Sequence, residues 1–185
     1  MVTVTRIVSA KSKKNNLQRA IYYEHWQFLG GVGALIYNPA DNTYLMLQRS
    51  SAKDVGAGKW ECVTGRVDQG EGFEQAVLRE VKEEIGVDVI LDMLIGTTHF
   101  YRGEAIDANE LIGVFYGCRL KNPDEPIQIS AEHSQYKWMT HEEMMTLFSD
   151  KAHQWILHLI ERDQIMRQWL PQELITVFHQ EGFEI

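Results

Sequence analysis

The amino-acid sequence predicts a mixed α+β domain in which strands come first and helices close the chain. Three observations support this prediction. Short apolar runs bounded by Gly, Pro, Asn and Asp residues occupy the first three quarters of the sequence. One amphipathic helix interrupts these runs, and from His141 onward the apolar residues follow a helical period. The length of 185 residues fits a single domain of ordinary size.

The first predicted strands form a hairpin that is followed by a glycine-rich loop. Residues 28–37 and 43–49 have strand character, and the turn residues 38–42 lie between them. The loop from Val55 to Gly58 then leads into a short apolar run at residues 60–64. We therefore expect three strand segments before the first helix.

The next predicted elements are one helix and three more strands. The helix extends from about Gly72 to Ile85, and Gly86 provides a left-handed stop. Strands are predicted at 89–102, 109–120 and 133–139, with turn sequences between them.

The end of the chain is predicted to be helical and rich in tryptophan. Apolar residues recur there at helical spacing: Ala152, Trp155, Ile156, Leu159, Ile160, Met166 and Trp169. Pro171 suits the first position of a last helix, which Gly182 would end. We expect these helices to pack against the sheet or against a second subunit.

The predicted organisation has three parts. Residues 1–27 form a basic and aromatic extension, residues 28–149 the main domain, and residues 150–185 the C-terminal helices packed on the same domain. In the extension, the aromatic residues Tyr22, Tyr23 and Trp26 favour strand or interface packing over stacking on a nucleobase.

Composition excludes several classes of protein. The 26 acidic and 18 basic residues give a net charge of −8, which argues against nucleic acid as the main partner. Cys62 and Cys118 have no metal-ligand spacing and indicate buried, reduced thiols. The sequence shows no signal peptide and no membrane-spanning run, so we expect a cytoplasmic protein that does not bind membranes.

Three glutamates form an acidic stripe on the predicted helix. Glu80, Glu83 and Glu84 are spaced i, i+3 and i+4, and their stripe adjoins the apolar stripe instead of opposing it. Carboxylates this close repel one another and raise each other's pKa unless a cation lies among them. A solvated helix surface is one interpretation, and a site for a hard divalent cation such as Mg²⁺ is the other.

The segment from Gly65 to Val87 resembles the Nudix box of the Nudix hydrolases. In that box a Gly is followed by five residues, a Glu, seven residues and then Arg-Glu-apolar-x-Glu-Glu-x-Gly-apolar. The residues at these positions are Gly65, Glu71, Arg79, Glu80, Val81, Glu83, Glu84, Gly86 and Val87. The resemblance implies a Nudix-type α/β/α sandwich with a mixed sheet, a Nudix helix and C-terminal helices.

Two further segments resemble a subgroup of this family. Many members have Pro-Gly-Gly where this chain has Val63-Thr64-Gly65. That variant, together with residues 132–138, resembles the bacterial dihydroneopterin triphosphate/dATP pyrophosphatase group.

The resemblance implies metal-dependent hydrolysis of a compound that contains a nucleoside diphosphate. It makes Glu80, Glu83 and Glu84 the metal ligands, with the Gly65 carbonyl as an additional one, and Mg²⁺ the metal, with Mn²⁺ as a substitute. One of Glu83 and Glu84 can instead serve as the general base. Glu132, outside the box, is a candidate for the base or for a further metal ligand, with a solvated loop acid as the alternative.

Basic residues complete the predicted site. Arg79 is counted with the catalytic residues, and its position two turns after Glu71 also allows a structural ion pair. Arg49 and Lys59 are candidate contacts for substrate phosphates, with surface ion pairing as the alternative.

The favoured substrate is a (deoxy)nucleoside or pterin triphosphate, cleaved to the monophosphate and pyrophosphate. Two alternatives stay open: cleavage of ADP-ribose, another nucleotide sugar or a dinucleotide, and nucleotide sensing without catalysis. Residues 65–88 contain seven acids and three bases, a net charge of −4. Divalent cations bound there would allow a polyphosphate to approach, so we expect a nucleotide-type small molecule as partner and leave a homodimer open.

Overall fold

The structure, a computed structural model, describes residues 2–7, 23–52, 56–150 and 153–184. These residues form eight strands and four α-helices, with one 3₁₀ turn before the seventh strand. The strands are β1 (Val2–Ile7), β2 (Tyr23–Asn38), β3 (Thr43–Arg49), β4 (Trp60–Glu61), β5 (Val63–Arg66), β6 (Val89–Tyr101), β7 (Glu110–Leu120) and β8 (His133–Met139). The helices are α1 (Phe73–Ile85), α2 (His141–Leu147), α3 (Gln154–Trp169) and α4 (Gln172–Glu181).

The long strand β2 organises a mixed sheet. It runs parallel to β7 over residues 29–36 and antiparallel to β5 over residues 31–34. A parallel pair requires a long connection between its strands, and here that connection includes α1. β6 pairs antiparallel with β7, and β3 pairs antiparallel with both β4 and β8. β1 pairs with the first part of β2.

Helices cover both faces of the sheet. On one face α1 buries Val77, Val81 and Ile85 against the strands. On the other face α2 and α3 form a second apolar layer, to which α3 contributes Ile156 and Ile160. The predicted α/β/α sandwich is thus confirmed.

Of the apolar residues that the helical period selects on α3, Ile156, Leu159 and Ile160 are buried, whereas Trp169 is 74% exposed. Leu157 and Asp163 are also buried, although the predicted stripe does not include them.

A glycine flanks α1 at each end. Gly72 precedes its first turn and has no side chain with which to cap it. Gly86 follows its last turn with φ 74°, a left-handed conformation that favours glycine. The predicted limits of this helix are confirmed.

The predicted hairpin between residues 28–37 and 43–49 is correct only at its turn. β2 and β3 pair through Tyr37 with Tyr44 and Asn38 with Thr43. Before that point β2 lies between β5 and β7, so its hydrogen-bonding edges are already occupied. β3 instead pairs along its length with β8.

The predicted run at residues 60–64 is wrong as a single strand. Its first two residues form β4 beside β3, whereas Val63 and Thr64 belong to β5 beside β2. The chain therefore crosses between two parts of the sheet at Cys62. Predictions that involve Tyr22, Val55 and Ala152 lie outside the described residues.

Both cysteines are buried free thiols, as predicted. Burial raises the pKa of the Cys62 and Cys118 thiols well above the ordinary range. Within the described ranges, every helix is too short or too polar to cross a membrane.

A buried charge network joins α3 to the sheet. Asp92 of β6 is 1% exposed and accepts hydrogen bonds from Arg119 Nε at 2.8 Å and Arg167 Nη1 at 2.9 Å. Arg167 Nε also donates to Asp163 Oδ2 at 2.7 Å, and the Tyr44 hydroxyl donates to the same oxygen at 2.8 Å. Arg167 is therefore the cation that two buried carboxylates share.

Candidate active site

Gly65 lies directly against the carboxylate of Glu80. β5 carries Gly65 beside β2, and α1 packs across it so closely that a Cβ on Gly65 would lie 1.9 Å from Glu80 Cδ. The amide N–H of Arg66 donates to Glu80 Oε1 at 3.1 Å. The missing side chain at position 65 allows the helix glutamate to reach the strand backbone, which brings two predicted site residues together.

Arg79 holds the acidic residues of the loop and the helix in place. Its Nε and Nη2 donate to the two carboxylate oxygens of Glu71 at 2.7 and 2.9 Å. Its Nη1 donates to Glu80 at 3.0 Å and Glu83 at 3.3 Å, and Nη2 also reaches the Arg66 carbonyl. The contact with Arg79 lowers the pKa of Glu71 to about 2. The predicted ion pair is confirmed, and because these donors meet protein acceptors, the contacts favour a positioning role for Arg79.

Glu84 is the glutamate that α1 directs inward. Its side chain is 10% exposed, whereas that of Glu83 is 59% exposed. Burial first, and then the negative charges of Glu61, Glu80 and Glu132, raise the pKa of Glu84 to about 9. A buried carboxylate crowded by other carboxylates attracts a proton or a cation.

Glu84 and the carboxylates around it, Glu61, Glu80 and Glu132, form an acidic cluster. Glu61 and His133 lie on the side of this cluster that the strands form. Glu61 Oε1 accepts a hydrogen bond from Arg49 Nη1 at 2.7 Å and lies 3.2 Å from His133 Nε2. The same imidazole nitrogen is 4.0 Å from Glu84 Oε2. Arg49, a predicted phosphate contact, therefore belongs to the same group of charges as the buried helix glutamate.

Glu132 and Lys59 flank the end of β3. The Glu132 carbonyl accepts from the amide of Ser50 at 2.8 Å, and the Lys59 carbonyl accepts from the amide of Arg49 at 2.9 Å. Both side chains are exposed. The charge of Glu132 acts on Glu84, so Glu132 joins the cluster, whereas Lys59 is placed beside it through its backbone.

The chemistry of these residues fits a divalent cation. Oε2 of Glu84 is buried and has no hydrogen-bond partner among the described residues. Carboxylate oxygens are the ligands that Mg²⁺ prefers in proteins. Within the described part of the chain, no three His, Cys, Asp or Glu side chains lie at metal-ligand spacing. Because Arg79 engages Glu80 and Glu83, assembly of the ligand set requires these side chains to change conformation.

Sequence patterns left Glu61 unassigned, although one signal could have identified it. Glu61 lies between Trp60 and Cys62 in an extended segment, and side chains alternate between the two faces of a strand. Trp60 and Cys62 pack in the layer formed with α3. The alternation therefore directs the acid between them toward α1.

Comparison with known proteins identifies the family. A sequence model of the NUDIX domain matches residues 24–162. This range contains the predicted main domain at 28–149 and extends into α3.

Individual relatives agree with this match. Dihydroneopterin triphosphate diphosphatase of Escherichia coli K12 is 33% identical over 114 residues, which cover 57% of this chain and 73% of the relative. Nudix hydrolase 2 of Arabidopsis thaliana is 30% identical over 116 residues, 61% of this chain but only 39% of the relative's length. The crystal structure of the MutT protein from Methanosarcina mazei Go1 has a TM-score of 0.62 and 25% identity, over 76% of this chain and 96% of that one. Since the family match spans most of a chain with this fold, the chain belongs to the NUDIX family.

Proposed function

We propose that the protein is a metal-dependent pyrophosphohydrolase that cleaves a (deoxy)nucleoside or pterin triphosphate to the monophosphate and pyrophosphate. The observation that carries the proposal is the buried Glu84 carboxylate, crowded by Glu61, Glu80 and Glu132 near Gly65 of β5. A polyphosphate is itself negatively charged, so it approaches such a cluster only when cations are bound there.

The proposed metal site uses the glutamates of the box. NUDIX hydrolases generally use divalent metal ions. We propose that Glu80, Glu83 and Glu84 hold Mg²⁺, or Mn²⁺ in its place, with the Gly65 carbonyl as an additional ligand. When bound, the cation would offset the charge of the diphosphate and lower the pKa of a bound water.

The other residues of the site bind the substrate and accept a proton. Arg49 and Lys59 contact the phosphates. One of Glu83, Glu84 and Glu132 takes the proton of the attacking water, whose oxygen forms a bond to phosphorus. With attack at the α-phosphorus, the bond from this phosphorus to the oxygen that bridges the α- and β-phosphates breaks, and pyrophosphate leaves.

Two features support the triphosphate class of substrate. The identity of 33% to E. coli dihydroneopterin triphosphate diphosphatase extends over 73% of that relative. The Val63-Thr64-Gly65 variant and residues 132–138 resemble the same subgroup. Substrates of the ADP-ribose and dinucleotide type remain the alternative outcome of a screen.

A screen of nucleoside and pterin triphosphates and of nucleoside diphosphate derivatives with Mg²⁺ tests the proposed function. We expect a monophosphate and pyrophosphate as first products, identified by mass spectrometry. EDTA should abolish the reaction, and added Mg²⁺ or Mn²⁺ should restore it. Inorganic phosphate as the first product, or activity that survives exhaustive chelation, would rule the proposal out.

Gly65→Ala is expected to lower kcat by about 10²-fold without unfolding the protein, because the added Cβ displaces the Glu80 carboxylate. The displaced group is the end of a flexible side chain, so the strand can stay in place. Steady-state kinetics and a thermal melt measure the two effects. Gly96→Ala is the matched control, since the atom nearest to its added Cβ is the Arg162 guanidinium on α3. Normal turnover of Gly65→Ala would show that the close contact has no catalytic importance.

A further inference from the structure

The chain continues beyond the NUDIX match, which ends at residue 162. α4 follows and lies against β6. At its end Gly182 adopts φ 80°. The next two residues, Phe183 and Glu184, reach the N-terminus of α1, and we call residues 182–184 the C-terminal tail.

Glu184 supplies the cap that α1 lacks. Its Oε1 accepts from the amide N–H of Phe73 at 2.7 Å, and its Oε2 accepts from that of Glu74 at 3.2 Å. The first N–H groups of a helix have no partner within the helix, and they favour a negative charge nearby. Gly72 cannot satisfy them, so a carboxylate from the far end of the chain does so.

Glu74 binds the tail in return. Its Oε1 accepts from the amide of Glu184 at 2.6 Å and from the amide of Phe183. The Phe183 ring contacts Phe178 and Tyr116, with ring centroids 4.4 and 5.5 Å apart. Four charge-assisted hydrogen bonds and the aromatic contacts of Phe183 therefore fix the tail on the first turn of α1.

The absence of a side chain at Gly72 is required for this contact. A Cβ on Gly72 would lie 2.3 Å from Glu184 Oε2. The backbone of Gly72, with φ −84° and ψ 169°, is nevertheless one that an ordinary N-cap residue adopts. The glycine thus excludes a local cap and leaves the space for the distant one.

We propose that Glu184 is a positioning residue for the reaction. By holding the first turn of α1, it fixes the adjacent Glu71, which binds Arg79 and through it Glu80. The effect on catalysis rests on the proposed function, whereas the capping itself does not.

The test begins with Glu184→Ala in the full chain. Loss of a helix cap shifts the equilibrium between the formed and the frayed first turn about fivefold toward the frayed state. We therefore expect kcat to fall about fivefold with KM unchanged. Amide hydrogen exchange at Phe73 and Glu74 should become faster. Ile156→Val, a buried substitution on α3, is the control for a general loss of stability, and its kcat should stay normal at a temperature where all variants are folded.

A second substitution separates positioning from general destabilisation. Gly72→Asp should restore kcat and slow exchange in the Glu184→Ala background, because it provides a local cap where the space is now open. In the wild-type background the same change should lower kcat, since its Cβ collides with Glu184. Opposite signs in the two backgrounds support the proposal.

Equal effects of Gly72→Asp in both backgrounds, or unchanged kcat and exchange in Glu184→Ala, would overturn it. Failure of the proposed function is recognised separately, because the wild-type protein would then hydrolyse none of the nucleotides while the exchange rates still report on the cap.

Discussion

Glu84→Gln is expected to lower kcat by about 10³-fold or more while the protein stays folded. Glu84 is the buried member of the proposed ligand set and shares its surroundings with Glu61, Glu80 and Glu132. The amide preserves the shape of the side chain but removes the charge that would bind a cation. Steady-state kinetics with Mg²⁺ on the best substrate of the screen measures the loss.

The control for this experiment is Glu142→Gln. It makes the same chemical change on an exposed position of α2, remote from the box in sequence. Its turnover should equal that of the wild type. Near-normal turnover of Glu84→Gln as well would remove the metal-site interpretation of the cluster.

The same variant has a predicted effect on stability that separates loss of function from misfolding. In the native state the pKa of Glu84 is raised from 4.5 to about 9. As pH rises from 4.5 toward 9, the unfolded state loses this proton first, so wild-type stability falls. In EDTA, Glu84→Gln should therefore melt at a higher temperature than the wild type near pH 7.5. A lower melting temperature would indicate that the carboxylate has a structural role instead.

Local sequence patterns were sufficient to predict those elements and contacts that depend on residues close together in the chain. The limits of α1 follow from its apolar period and from Gly86, which adopts the left-handed conformation expected of it. The close approach of Gly65 and Glu80 and the pairing of Arg79 with Glu71 lie within the 23 residues of the box, where a short loop folds the end of β5 back onto α1.

Long-range contacts could not be predicted in the same way. Glu61 meets His133 across 72 positions, and Glu184 meets Phe73 across 111. Such contacts depend on which strand edges pair and on where α4 ends. The local spacing of apolar residues in the sequence predicts neither of these. The order of β3, β5 and β7 around β2 illustrates the same limit. The homodimer that the sequence leaves open depends on contacts with a second chain, and a local period does not encode those contacts either.

Arg167→Met is expected to lower the free energy of unfolding by about 3–5 kcal/mol, because it leaves buried carboxylates without their shared cation. Asp163 is fully buried and Asp92 is 1% exposed, and both accept hydrogen bonds from this guanidinium. Denaturant unfolding near pH 7 measures the loss. Arg162→Met is the matched control, since it removes an arginine from an exposed position of the same helix and should change stability by about 0.5 kcal/mol or less.

The pH dependence of that loss identifies its cause. Burial already raises the pKa of Asp163 in the native protein, and removal of Arg167 raises it further. A native pKa above the unfolded value makes stability fall as pH rises, so the deficit of Arg167→Met should be largest near neutrality and shrink toward pH 4. His179 Nε2 lies 3.2 Å from Asp92 Oδ1, so Asp92 has a further polar neighbour and the comparison needs a variant that isolates Asp163. Arg167→Met combined with Asp163→Asn should lose most of the pH dependence. If the deficit of the single variant is the same at pH 4 and pH 7, lost packing of the arginine stem explains it and the buried charge does not.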